Sequence, residues 1–254
     1  MTTFHIGCAG FAAPRERYLS RLSFVEFALR QPLPSPKVLA TWRKHTPESF
    51  TYGLVAPASF YGDPSWPLRD PAAVRSETDR LLNLADALGA GALVFRTPMA
   101  VSPGSVALGR MAPVFERARK ALDVVAWDPA GLWERDAAAE HAEKFGVLAA
   151  CDPLHDEVDE PVVYARMRGL GFDNKYHSGR LEELAEALAG CEEAFVVFES
   201  GGAWREALKF AGIAAGAGAS AFLDGEEGED GEDDEDDDDD GDAEGDEDDD
   251  EGAR

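Results

Sequence analysis

The chain has 254 residues, with 24 basic and 50 acidic side chains and a formal net charge of −26. Residues 224–251 hold 22 of the acids, and Arg254 is the one basic residue beyond Asp224, so the body carries 23 basic against 28 acidic side chains. A body of such ordinary charge argues against a halophile-type surface, and the lack of a basic stripe or nucleic-acid module argues against direct DNA or RNA binding.

The start, Met1-Thr2-Thr3-Phe4-His5-Ile6, has no basic leader region and reads as a first strand. No run of about 18 apolar residues appears, so no membrane span is expected. Three cysteines at wide spacing, Cys8, Cys151 and Cys191, exclude a disulfide framework and point to a reducing cytoplasm.

Apolar runs then alternate with helical patterns. The first strand is predicted over 4–8 and the second over 24–27, joined by residues 14–22. A helix follows over 35–45, opened by a Ser35 cap and Pro36 at its first position. Next come a strand at 51–56 and a helix at 72–88, whose Leu81, Leu84, Ala85 and Leu88 share one face before Gly89 stops it. A strand at 92–95, a helix at 105–122, a strand at 123–127, a helix at 134–144 and a strand at 147–150 continue the alternation. Residues 153–161 lead without an evident helix to a strand at 162–167, then a helix at 179–188, a strand at 194–198 and a helix at 203–214.

Eight strands alternating with helices predict an α/β fold, a (β/α)8 TIM-barrel-like domain over 1–220. It is short for such a barrel, and its two stunted connections allow an irregular or partly open one. An open doubly wound sheet is the alternative, and no GxGxxG follows the first strand to support it. From Asp224 to the end, Gly, Asp and Glu predominate, so residues 224–254 are expected to form a disordered, low-complexity acidic tail.

Several ordered blocks carry a resemblance. Leu33-Pro34-Ser35-Pro36, Trp42, Thr46-Pro47-Glu48-Ser49-Phe50 and Ala56-Pro57 read like LPSPxTVxxWxxxTPxxFxFAVKAP. Ile6-Gly7-Cys8-Ala9-Gly10-Phe11 reads like IGTSGW, Phe95-Arg96-Thr97-Pro98 like FQLP, and Tyr164-Ala165-Arg166-Met167-Arg168-Gly169 like YVRLHG with Tyr176 following. Val197-Phe198-Glu199-Ser200-Gly201-Gly202-Ala203 stands in the place of a YFNND-G-A block. In these blocks the chain resembles the YecE-like family (domain of unknown function 72), which implies a TIM-barrel-like fold without fixing a reaction. It departs from the family's pattern at several polar positions. The expected third-strand lysine is Val55, and the VEFRHPSW block reads Val125-Ala126-Trp127-Asp128-Pro129. Glu199 and Ser200 replace the paired Asn, and Glu26 aligns with the VEINxTFY glutamate only if one residue is deleted.

Arg166 and Arg168 alternate on the seventh strand, so both point to one side near its C-terminal end, where barrel ligands bind. Joined by Arg96, Tyr164 and Tyr176, and with Asp128 and Glu199 nearby, they form a candidate site for a small anionic ligand, because guanidinium forks suit carboxylate or phosphate. The competing reading pairs the arginines with Asp128, Asp152 or Glu199 in a structural network. No histidine ends a strand, so neither a metal site nor a cofactor is expected, and the cysteines read as small buried residues. The second functional reading is a catalytically silent scaffold whose acidic tail binds a basic protein.

Overall fold

The computed structural model describes residues 2–63, 67–101, 103–169 and 175–216. The acidic segment expected to be disordered lies outside the described residues, as does Trp66. The elements follow in order: β1 (Thr3–Cys8), α1 (Arg15–Arg21), β2 (Phe24–Ala28), α2 (Pro36–Lys44), β3 (Thr51–Val55), a 3-10 turn (Ala58–Tyr61) and α3 (Pro71–Leu88). Then come β4 (Ala90–Thr97), α4 (Ser105–Ala121), β5 (Val124–Pro129), α5 (Arg135–Phe145) and β6 (Leu148–Cys151). β7 (Val162–Met167), α6 (Ser178–Ala187), β8 (Glu193–Phe198) and α7 (Ala203–Ala214) complete the fold. Neighbouring strands are parallel and run in the order β1-β8-β7-β6-β5-β4-β3-β2, the topology of a (β/α)8 barrel.

Local chemistry explains most boundaries. Asp70 caps α3 by accepting from the Ala72 and Ala73 amides at 2.9 and 3.3 Å, Pro71 opens the helix, and Gly89 ends it at φ 62°. Pro36 opens α2 as expected, but Ser35 makes no side-chain cap bond, so the proline sets that start. The connection between β1 and β2, where the sequence predicts only a short link, holds the seven-residue helix α1. The link between β6 and β7 carries no helix, as anticipated.

Two apolar clusters separate inside from outside. The larger lies between the sheet and its helices. The smaller, with Phe24, Val94, Ala126, Tyr164, Phe195 and Val197 at alternate strand positions, fills the barrel. Small residues make room for its rings. A Cβ on Gly53 would stand 2.6 Å from the Phe24 ring, which meets Phe195 edge-on at 5.5 Å.

The seam between β1 and β2 is the exception in the sheet. One backbone bridge, Ala9 to Glu26, joins the two segments near the top. Below it, side chains stand in for the ladder. The Ile6 amide donates to Ser23 Oγ at 3.2 Å. The Cys8 amide donates to the Tyr18 hydroxyl at 2.7 Å, and that hydroxyl donates to the Phe24 carbonyl at 2.9 Å. Tyr18 comes from α1 and is fully buried, so this short helix inserts one phenol as a rung.

Tyr18→Phe would strand a buried amide and a buried carbonyl while keeping the ring. Urea denaturation is expected to register a loss of about 3 kcal/mol, in line with two unsatisfied buried groups. A change below about 1 kcal/mol would mean that the seam closes without the phenol.

Candidate functional site

The inward positions that follow the apolar plug toward the C-terminal strand ends are charged. Arg96 on β4 and Asp128 on β5 are direct register partners, so the sheet itself places them side by side. Arg166 lies near the end of β7, Arg168 just beyond it, and Glu199 just past β8. Glu26 reaches the same level from β2.

At the centre is the Arg166 guanidinium, whose side chain is 1 % exposed. Its Nη2 donates to Glu26 Oε2, in a close contact that Tyr164 Oη also joins by donating to the same oxygen at 2.6 Å. Its Nη1 donates to Glu199 Oε2 at 2.9 Å. Its Nε lies 3.1 Å from Asp128 Oδ2, an ion contact without the alignment of a hydrogen bond. Arg96 repeats the motif nearer solvent, with Nε donating to Asp128 Oδ2 at 3.1 Å and Nη1 to Glu199 Oε1 at 2.9 Å. Arg168 Nη2 donates to the other Asp128 oxygen. Three guanidinium groups thus interleave with three carboxylates.

The electrostatics follow from this interleaving. Burial opposes the charge on Arg166, but Glu26 overrides it and holds the guanidinium firmly protonated. Burial likewise pushes Glu199 up, yet Arg166 and Arg96 outweigh it and keep its carboxyl below the ordinary range. Tyr164 is driven well above the usual phenol range by burial and then by Glu26, so it serves as a fixed donor. Tyr61, at the end of the 3-10 turn, is also pushed up by burial and lies within electrostatic reach of Asp128 and Arg96. Its buried hydroxyl has no partner among the described residues.

The structure brings together Arg96, Asp128, Tyr164, Arg166, Arg168 and Glu199 of the anticipated set. Tyr176 is engaged otherwise, accepting the Gly169 amide at 2.9 Å while its own amide donates to Glu206. Asp152 is outside the ionic contacts and caps the Leu154 amide at 3.1 Å. Glu26 and Tyr61 were missed as site residues. The signal for Glu26 was there, a lone carboxylate in the strand Phe24-Val25-Glu26-Phe27-Ala28 on the same face as Phe24.

Other chemistry is poorly supplied. Burial pushes Cys8 and Cys151 each up to about 12, which makes both weak nucleophiles at neutral pH. Among the described residues, no group of three His, Cys, Asp or Glu is placed to hold a metal ion. The mouth carboxylates converge on arginine instead. No helix among the described residues is long and apolar enough to cross a membrane.

Removing the central cation would leave Glu26 and Asp128 as buried, undercompensated charges. Arg166→Met is expected to cost about 3–5 kcal/mol in chemical denaturation, and the double variant with Glu26→Gln should recover part of that loss. Equal losses for the single and double variants would show that the pair is not coupled.

No protein-family model matches the sequence, and no curated protein does. Solved structures do match. A DUF72 family protein from Enterococcus faecalis superposes with a TM-score of 0.64 at 14% identity, covering 84% of this chain and 96% of that one. A second, from Thermotoga maritima, gives 0.58 at 15% identity, with 84% and 99% covered. A xylose isomerase domain-containing protein from Salmonella typhimurium gives 0.51 at 12% identity, with 84% and 96% covered. The resemblance carried by the ordered sequence blocks therefore extends to three dimensions: this chain has the barrel fold of the DUF72 family proteins, along essentially their whole length.

Proposed function

We propose that the chain is a small-molecule-binding barrel that takes a carboxylate- or phosphate-bearing ligand at the C-terminal mouth. The observation that carries this reading is the pair Arg96 and Arg168. Their side chains are 39% and 52% exposed at the rim, and both are anchored on the one buried carboxylate of Asp128. Guanidinium groups oriented by a buried anion and partly exposed at the rim suit an incoming anion. Arg166 and Tyr164 serve as the floor that holds this arrangement, and Tyr176 shapes the adjoining edge. Binding without turnover is the reading favoured by the poorly nucleophilic thiols and by a tyrosine already committed to Glu26. A reducing compartment such as the cytoplasm suits three free cysteines.

The uneven charge of the sequence favours a second role for residues 224–254, as an acidic segment that engages a basic protein through its 22 clustered acids. Polylysine is a direct probe. Full-length protein is expected to bind it in a salt-sensitive way that is lost on truncation before Asp224, and equal binding by the truncated chain would remove this role.

For the barrel, thermal unfolding across phosphorylated and carboxylated metabolites is the test. At least one is expected to raise the melting temperature, and Arg168→Ala should weaken that ligand roughly tenfold or more, as loss of a charged hydrogen bond does. No stabilisation by any member of a broad panel would end the proposal.

A further inference from the structure

The mouth already contains an anion clamped in the manner a ligand would be. Glu199 spans two arginines with one oxygen each, Oε1 to Arg96 Nη1 and Oε2 to Arg166 Nη1, both at 2.9 Å. This is the bidentate bridge that a free carboxylate, or two oxygens of a phosphate, would make between those same guanidinium groups.

The three carboxylates are not equally replaceable. Glu26 is 2% exposed and also accepts the Tyr164 hydroxyl. Asp128 is 6% exposed, with Arg96 and Arg166 on one oxygen and Arg168 on the other. Glu199, with its Oε2 also 4.0 Å from Arg168 Nε, is 29% exposed and lies at the edge. Its amide donates to the Met167 carbonyl at 2.9 Å, so the backbone is fixed while the side chain reaches in from the rim.

Charge balance supplies the second argument. Among the described residues, three guanidinium groups face three carboxylates, so a fourth anion that displaced none of them would meet little net attraction. Exchange of one anion for another leaves the balance unchanged.

Building on the anion-binding reading above, we propose that Glu199 is a resident placeholder: an entering carboxylate or phosphate takes over its bridge between Arg96 and Arg166, and the Glu199 side chain swings out to solvent. The site is thereby self-competing, and its affinity for ligand is set partly by how firmly Glu199 holds its place.

The experiment measures inorganic phosphate and acetate binding calorimetrically, at fixed ionic strength made up with chloride, on the full chain. Glu199→Gln is expected to bind phosphate, acetate or both at least tenfold more tightly than the wild type, and adding Arg96→Ala should abolish the gain. A gain with acetate alone assigns a carboxylate ligand, and one with phosphate alone a phosphate ligand. Glu199→Asp keeps the charge but is one methylene shorter and cannot span both arginines, so a smaller gain is expected; it also serves if the Gln variant folds poorly. Unchanged affinity in both variants, or a gain that survives Arg96→Ala, overturns the placeholder. A wild type that binds a panel ligand while neither variant gains overturns displacement and leaves the binding function standing. Variants that gain while the wild type binds no panel member overturn the binding function alone.

Discussion

A guanidinium group that is almost wholly removed from water cannot stay there without anions around it, and this requirement organises the upper half of the barrel. Desolvating an ion costs several kcal/mol even after relaxation, and the cost is offset only when its donors are met by charge. Arg166 is met by Glu26 from β2, Asp128 from β5 and Glu199 beyond β8. One side chain on β7 therefore ties together three strands spread around the barrel. Such a network contributes little net stability compared with an apolar core, but it disfavours other arrangements, because shifting any one strand leaves a buried charge uncompensated.

That brace matters most where the sheet is weakest. Among the described residues one backbone bridge closes this seam, from Ala9 just past β1 to Glu26 on β2, the residue whose side chain crosses the barrel to Arg166. Backbone closure and side-chain bracing thus meet at a single position, with the Tyr18 phenol completing the seam below. Tyr164 joins the two regimes of the interior. Its ring stacks on Phe195 at 6.0 Å within the apolar plug, and its hydroxyl donates to Glu26 in the ionic layer. A phenylalanine there would fill the same space but leave a buried carboxylate short of a donor.

Much of the architecture was legible in the sequence because it is written in local periodicity. All eight strands and six of the helices occur where apolar runs and helical patterns placed them. The helix α1 escaped because seven residues between a proline and a strand carry too little period to read. The gathering of Arg96, Arg166, Arg168, Asp128 and Glu199 was legible as a set of strand ends, since parallel strands in a barrel bring those ends to one rim. Which charge meets which was not, because that depends on register between strands. Arg96 faces Asp128 through the β4–β5 register, and nothing in either segment alone encodes the pairing. Glu26 was hidden for a different reason. Family-pattern matching put it one residue out of place, whereas the alternation Phe24, Glu26 along β2 sends it inward whatever the pattern says.

The departures from the family's polar pattern can be weighed by charge alone. Val55 stands on β3 where the resemblance implies a lysine, and it packs in the apolar interior with Val94 and Phe24. A lysine at that inward position would set a fourth cation against three carboxylates. With valine there, three cations face three anions among the described residues. What remains available lies at the rim, where exposure rises from Asp128 through Glu199 and Arg96 to Arg168. The proposed exchange of one anion for another belongs at this edge, above a floor of buried ion pairs.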